Sequence, residues 1–259
     1  MQKIKSSTIL DKISEIKKAN GNEFYTNYFL NKLDEEVLFL ENEGALVFLQ
    51  PEADFYHLYF ATKNLLNLEE LFLQIPAVSD IAIEIICKNK IDENLYNCIN
   101  RNFQYQTTYE RMKLYKIEPS ECKSEITYAE VSDLDFVHNQ LRIDFNKYFD
   151  HFPSNETLKN YIENKQVLVK KDGNQILCYL IFTITNSSCH FNYMRNLSND
   201  SFLHLELIEQ FYNEIVSRGA KNVYLWVDVD NNARVKKLHE YYRHKSDGTL
   251  NVTFLRKRL

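Results

Sequence analysis

CHFNYM at residues 189–194 and VYLWV at residues 223–227 are two apolar runs that decide the fold, because the residues between them form a helical pattern. Over residues 202–218 apolar side chains recur about four positions apart, which predicts an amphipathic helix. These side chains are Leu203, Leu207, Phe211 and Ile215. Gly219 follows directly and suits the positive-φ residue that ends many helices.

The alternation continues to the end of the chain. Asn231-Asn232 begins a second helix, whose apolar positions are Val235, Leu238 and Tyr242. Asp247-Gly248 predicts a turn, and residues 250–255 predict a last strand. The order β-α-β-α-β indicates the α/β class, with an α+β mixed sheet.

The rest of the second half supplies more of this sheet. We predict a strand at 125–129, helices near 132–148 and 154–163, and strands at 167–171 and 175–184.

The first half is read in the same way. We predict a helix at 3–19, an aromatic helix or turn over Phe24 to Leu33, and strands at 38–41, 45–50, 55–61, 80–87 and 103–115. Two further helices are predicted, one over 68–74 with Asn67 as N-cap and one over 92–100 opened by Asp92.

The two halves repeat one pattern: three strands, helix, strand, helix, strand. Residues 81–86 align with 223–227, and 95–103 align with 235–242. We infer a degenerate internal repeat of about 130 residues. A short polar segment at 117–123 joins the copies, so we predict domains at 1–118 and 119–259.

The runs LWVDVDNN, KKLHEYY and DGTLNVTFLRKRL, in this order of elements, resemble the C-terminal half of the GNAT N-acyltransferases. The resemblance spans roughly residues 124–259, and the whole chain looks like the tandem members of that family. It implies two tandem GNAT-like folds, with the N-terminal copy structural or forming a wall of the substrate cleft.

The resemblance also implies a site for acetyl-CoA or another acyl-CoA. In the family the strand equivalent to 189–194 splays from its neighbour, and its main chain pairs with the pantetheine arm. This implies acyl-CoA contacts at Tyr193, Met194 and Arg195. The pyrophosphate would lie at the N-terminus of the 202–218 helix, near Ser198, Asn199 and Ser201.

The loop before this helix departs from the family pattern. The family has Arg/Gln-x-x-Gly-x-Gly/Ala there, whereas residues 195–201 read RNLSNDS and contain no glycine. Asp200 would repel a pyrophosphate, and as a helix N-cap it has a simpler explanation.

Acid and base candidates follow from the chemistry of acyl transfer. The family's usual general acid is a tyrosine on the last helix, so Tyr242 and His239 are the predicted catalytic residues, with Tyr241 a third choice. Candidate bases are His190 and Asn192, or Asp228 and Asp230. The last two also fit a solvated strand end that caps the next helix.

Composition limits the other function classes. The net charge is −5 with no long basic run, which argues against nucleic-acid binding. Five scattered cysteines and no apolar leader favour a cytoplasmic protein with free thiols, without a membrane partner or metal site. The acceptor would be a small-molecule or peptide amine, and the protein a monomer or homodimer.

Three functions remain open from the sequence. One is an N-acyltransferase that moves an acetyl or acyl group from acyl-CoA to a primary amine. Another is a catalytically inactive GNAT-like protein that binds a peptide, an aminoacyl group or a protein partner. The third is a structural interaction protein whose aromatic face pairs with a second copy.

Overall fold

A computed structural model describes residues 1–19, 23–28, 36–77, 79–121 and 127–258. The chain packs as two compact units. The N-terminal unit comprises Met1–Glu110, Asp228–Asn231 and Gly248–Leu259, and the C-terminal unit comprises Arg111–Val227 and Asn232–Asp247.

The first half of the chain contains seven strands and three helices among the described residues. They are β1 (Gln2–Lys5), α1 (Ser6–Lys18), β2 (Tyr25–Thr26), β3 (Glu36–Asn42), β4 (Ala45–Pro51), β5 (Phe55–Thr62), α2 (Leu65–Gln74), β6 (Asp80–Lys88), α3 (Glu93–Asn100) and β7 (Gln104–Leu114).

The second half contains five strands and four helices among the described residues, after a short 3-10 turn at Val131–Asp133. They are α4 (Leu134–Asp144), α5 (Asn155–Glu163), β8 (Val167–Asp172), β9 (Gln175–Thr185), β10 (Ser188–Asn196), α6 (Ser201–Ser217), β11 (Asn222–Asp228), α7 (Ala233–Tyr241) and β12 (Lys245–Arg256). The mixed α/β class with a mixed sheet is confirmed.

The N-terminal unit is a sheet with helices on both faces. Its strand order is β1-β3-β4-β5-β6-β12, with the first part of β7 beyond β12. A core of phenylalanines, including Phe72 packed edge-on against Phe60 and Phe103, lies beneath α2 and α3. The opposite face is covered by α1 through Ile9.

The C-terminal unit is built in the same manner. Its strand order is β11-β10-β9-β8, with β10 antiparallel to β9 and parallel to β11. Helix α6 buries Leu207, Phe211 and Ile215 on one face, as their spacing predicts. Helices α4 and α5 cover the other face.

The last strand of the chain packs with the N-terminal unit. Residues Thr249–Arg256 of β12 pair antiparallel with β6. The Thr253 hydroxyl donates to the carbonyl of Thr107 and accepts from its N–H. The N-terminal sheet is therefore completed by residues that follow α7 in sequence. As a division into repeat copies, the boundary at residue 118 stays a prediction.

Helix ends were predicted correctly where one polar residue or glycine dominates. Asp92 caps α3 by accepting from the N–H of Leu95, and Gly219 ends α6 with a φ of +81°. The cap of α2 was predicted wrongly. Asn64 rather than Asn67 accepts from the N–H of Leu66, so this helix begins three residues earlier.

The predicted turn at Asp247-Gly248 was wrong, since both residues lie within β12. In the predicted helix or turn at 24–33, the structure instead has the short strand β2 at Tyr25–Thr26, and residues 29–33 lie outside the described residues. Residues 125 and 126 of the predicted strand at 125–129 lie outside them, and Tyr128 forms a single bridge to Leu168. Cys87, Cys98, Cys178 and Cys189 are free thiols.

Candidate active site

Two parallel strands of the C-terminal unit separate part-way along their length. Strands β10 and β11 are paired from Ser188/Asn222 to His190/Tyr224, and their pairing ends there. The sequence predicted this divergence through the family resemblance. Past His190, one edge of the β10 main chain is available to a bound molecule.

A β-bulge lies at the same point of β10. The register of β10 against β9 shifts between Phe191 and Tyr193. Because side chains alternate along a strand, the extra residue reverses the pattern. Phe191 packs beneath α6, whereas Tyr193 packs towards α4 and α5. The bulge therefore redirects the main chain where the strands separate.

The predicted acyl-CoA contacts have differing surroundings. The Tyr193 hydroxyl donates to the carbonyls of Asp150 and His151, and burial raises the pKa of Tyr193 above its usual value. Met194 is half-buried against the α6 core. Arg195 is exposed, and its Nε lies 3.2 Å from Asp144 Oδ1. The side chains of Tyr193 and Arg195 are thus engaged within the unit, and both residues also pair with β9 in the sheet.

The loop before α6 is closed by its own hydrogen bonds. Asn196 Oδ1 accepts from the Ser198 N–H and hydroxyl, and Asn196 Nδ2 donates to the Asp200 carbonyl. Asp200 Oδ1 accepts from the N–H of Phe202 at 2.8 Å, which makes it the N-cap of α6. Asn199 and Ser201 are exposed. A carboxylate therefore already occupies the end of the helix where the sequence predicted a pyrophosphate.

Tyr242 lies directly after α7 and is half-buried. Its ring packs 5.6 Å from the ring of Tyr212 and 5.4 Å from that of Tyr241. Burial, followed by the charges of Glu209 and Tyr241, raises the pKa of Tyr242 to about 12. Its hydroxyl is protonated at neutral pH, as a proton donor must be.

His239 is a core residue. It is 2% exposed, and its ring packs edge-on against Phe191 at 5.4 Å. Burial, with His244 as a second cause, lowers the pKa of His239 to about 3. The imidazole is neutral at pH 7, and these contacts favour a packing role.

His239 belongs to a buried polar cluster that sequence reasoning missed. Its ring lies 5.2 Å from that of His244, which in turn lies 6.3 Å from that of Tyr212. Within the described chain, His239 Nδ1, His244 Nε2 and the Tyr212 hydroxyl have no hydrogen-bond partner. No spacing in the sequence marks this cluster, because its members come from α6, α7 and the residue just before β12.

The face of the sheet opposite α6 carries a stack of rings beside the strand divergence. The His190 ring lies 4.5 Å from that of Tyr224 at an interplanar angle of 5°. The Arg111 guanidinium covers the rings of Tyr224 and Trp226 and binds Asp247 with Nε and Nη2. Burial lowers the pKa of His190 to about 4, so this imidazole is also neutral.

Asp228 and Asp230 are structural residues of a turn. Asp228 Oδ1 accepts from the Thr107 hydroxyl and the N–H groups of Asp230 and Asn231. Asp230 accepts from the hydroxyl of Tyr105. These bonds fit the predicted polar strand end. The predicted cap was wrong, because Asp228 binds N–H groups that precede α7, and the N-cap Asn232 has no side-chain cap hydrogen bond.

Cys189 is fully buried, and burial raises the pKa of its thiol to about 12. A thiolate nucleophile at Cys189 is therefore disfavoured at neutral pH.

Comparison with solved structures finds proteins of similar fold. A GCN5-related N-acetyltransferase from Sphaerobacter thermophilus superposes with a TM-score of 0.59 at 11% identity, over 82% of this chain and 76% of that one. A GNAT-family acetyltransferase from Colwellia psychrerythraea superposes with a TM-score of 0.50 at 11% identity, over 98% of both chains. The chain has the GNAT fold. This confirms the predicted fold.

Another similar structure belongs to a protein described as functionally unknown. A conserved protein from Staphylococcus epidermidis superposes with a TM-score of 0.55 at 14% identity, over 85% of this chain and 93% of that one. No family model matches the sequence, and neither does any curated protein. Within the described residues, no helix is long and apolar enough to cross a membrane.

Proposed function

We propose that the protein is an N-acyltransferase that moves an acetyl or other acyl group from acyl-CoA to a primary amine of a small molecule or peptide. One observation carries the proposal: in the C-terminal unit of a GNAT fold, β10 and β11 separate after His190 and β10 bulges at once.

The separated strand offers the main-chain groups that an acyl-CoA arm needs. Within the described chain, no side chain bonds to the main chain of Phe191, Asn192 or Tyr193. N–H groups fixed along a strand are preorganised donors for the amides of the arm and for the thioester oxygen. We assign acyl-CoA binding to the main chain of Tyr193, Met194 and Arg195.

The reaction then needs few side chains. The neutral amine attacks the thioester carbonyl, the carbon–sulfur bond breaks, and an amide forms as the nitrogen releases one proton to solvent. The thiolate that leaves takes a proton from Tyr242, which we propose as the general acid; His239 is not proposed for this role, because its buried imidazole is neutral at pH 7. The acceptor approaches on the face that carries His190 and Tyr224.

The anionic end of acyl-CoA fits less well. Ser198, Asn199, Ser201 and Arg195 remain the proposed contacts, but the Asp200 carboxylate already caps α6. We therefore expect affinity to come mainly from the arm along β10, and we expect it to be low for a GNAT fold.

The same cap supports a second candidate. If Asp200 and the closed loop exclude the pyrophosphate, the divergence between β10 and β11 would hold an extended peptide, an aminoacyl group or a partner segment through the same main-chain groups. This is a catalytically inactive GNAT-like binding protein.

Calorimetric titration with acetyl-CoA, followed by a screen of primary amines for thiol release, tests the proposal. Acetyl-CoA binding with amine-dependent release of CoA is the expected result. Failure to bind at millimolar acetyl-CoA would reject the enzyme with this donor and favour the binding protein.

A further inference from the structure

The N-terminal unit contains the same divergence of parallel strands. Strands β5 and β6 are paired from Phe55/Asp80 to His57/Ala82, where their parallel pairing ends. In each unit the last paired residue of the first strand is a histidine, His57 here and His190 in the other unit. The two units therefore hold equivalent sites along β5 and β10.

One side chain bridges the diverging strands of the N-terminal unit. Asn27 Nδ2 donates to the Leu58 carbonyl at 2.9 Å and to the Glu84 carbonyl at 3.2 Å. Asn27 Oδ1 accepts from the Phe60 N–H at 2.7 Å. Leu58 and Phe60 belong to β5 and Glu84 belongs to β6, so this one amide binds both strands.

The residues around Asn27 strengthen the contact. Strand β2 pairs antiparallel with β5 through Tyr25/Thr62 and Thr26/Ala61. The Thr26 hydroxyl donates to the Phe60 carbonyl at 2.7 Å. Segment Glu23–Tyr28 thus runs along β5 beyond the point where β6 has left it.

The hydrogen bonds of Asn27 are buried, so losing them would be energetically costly. Asn27 is 4% exposed, so the polar groups it contacts are shielded from water. A buried N–H or C=O without a partner is costly, and Asn27 satisfies three of them at once. The equivalent residues of β10 receive no such side chain within the described chain.

We propose that Asn27 is a built-in ligand of the N-terminal unit. It takes the position along β5 that corresponds to the acyl-CoA position along β10. The N-terminal unit then binds no acyl-CoA, and the chain binds one molecule; this second part rests on the proposed function.

Hydrogen exchange at the Phe60 amide tests the role of Asn27 without any acyl-CoA. We expect exchange to be slow in the wild type and about tenfold faster in Asn27→Leu, which has no acceptor for this N–H. Thr26→Val is the control, because it removes the hydroxyl bond to the Phe60 carbonyl but keeps the Asn27 acceptor, and its Phe60 amide should stay protected. Equal exchange in wild type and Asn27→Leu would overturn the assignment.

The number of acetyl-CoA molecules bound by the wild type gives a test that needs no variant. We expect one per chain by calorimetry, and two per chain would refute the inference while leaving the acyltransferase intact. If none binds, the proposed function fails, and the exchange of the Phe60 amide still decides what Asn27 does.

Discussion

Tyr241 and Tyr242 are neighbours with opposite surroundings. Tyr241 is 79% exposed, whereas Tyr242 is half-buried with a raised pKa of about 12. Among the 17 tyrosines of the chain, sequence alone could not separate these two, because the helix register decides which one turns inward. Tyr241 can therefore serve as the control residue when Tyr242 is tested as the general acid.

Tyr242→Phe should lower kcat about 100-fold if its hydroxyl protonates the leaving thiolate, since general acids contribute at least that much. Tyr241→Phe, which removes an exposed hydroxyl, should leave kcat unchanged. Steady-state kinetics of both variants with the same amine decide between the roles. Equal rates for the two would remove Tyr242 from the mechanism.

Asp200 combines two effects that a pair of substitutions can separate. Asp200→Asn keeps the cap of α6 but removes the charge, so we expect acetyl-CoA to bind about fivefold more tightly. Asp200→Ala removes the charge as well, but also the cap, at about 1 kcal/mol of stability. Titration calorimetry and urea unfolding measure the two effects. Unchanged affinity in Asp200→Asn would mean that no phosphate comes near this helix.

At the scale of single elements, α6 shows how a glycine ends a helix. Gly219 has a φ of +81°, and a Cβ added there would meet nothing within 4 Å. The cost of a side chain is therefore conformational and not steric. This position is one that sequence reasoning assigned correctly.

Gly219→Ala should lower the free energy of unfolding by about 1 kcal/mol, because alanine is disfavoured at positive φ. Gly219→Asn should cost less, since asparagine tolerates this region better. Urea denaturation of both variants checks the order. An alanine variant as stable as wild type would contradict the stated role of the glycine.

How far the sequence predicts these elements depends on what each one requires. Local signals were enough for the Asp92 cap and the end of α6. The bulge at Asn192 depends on pairing with β9, and the amide of Asn27 depends on strands 31 to 57 positions away in sequence. No local pattern carries such information, which is why the candidate site was only partly predictable.

At the scale of the whole molecule, buried histidines link stability to acid. Burial lowers the pKa values of His190 and His244 to about 4 and that of His239 to about 3. Below the ordinary histidine pKa of about 6.5 the unfolded chain takes up protons that the native chain refuses. Stability therefore falls as the pH falls from about 6.5 towards 4.

Each of these histidines should lower the free energy of unfolding by about 1.4 kcal/mol for each unit that the pH falls between about 6.5 and 4. We expect urea midpoints to fall steeply between pH 6.5 and pH 5 and to show no histidine-dependent slope between pH 8 and pH 9. His244→Gln should make the urea midpoint depend less steeply on pH below 6.5. An unchanged slope in this variant would show that His244 titrates normally in the native state.

The strand order of the N-terminal unit predicts whether residues 1–118 can fold as an isolated fragment. Residues 1–118 lack β12, which pairs along β6 from Thr249 to Arg256. This fragment should not fold cooperatively by itself, and a peptide of residues 245–258 should restore a melting transition. Circular dichroism of the fragment, with a scrambled peptide as control, measures this. A cooperative melt without the peptide would show that the strand is dispensable.

Strand β12 also determines the order in which parts of the protein can fold on the ribosome. The half of the protein that is synthesised first cannot complete its sheet until residues 249–256 have been translated. Strand β6 must therefore wait with one edge unpaired for the rest of translation, a state in which nascent chains are prone to associate. Truncated products of early termination would carry that open edge permanently, so the cell should treat them as substrates for chaperones and proteases.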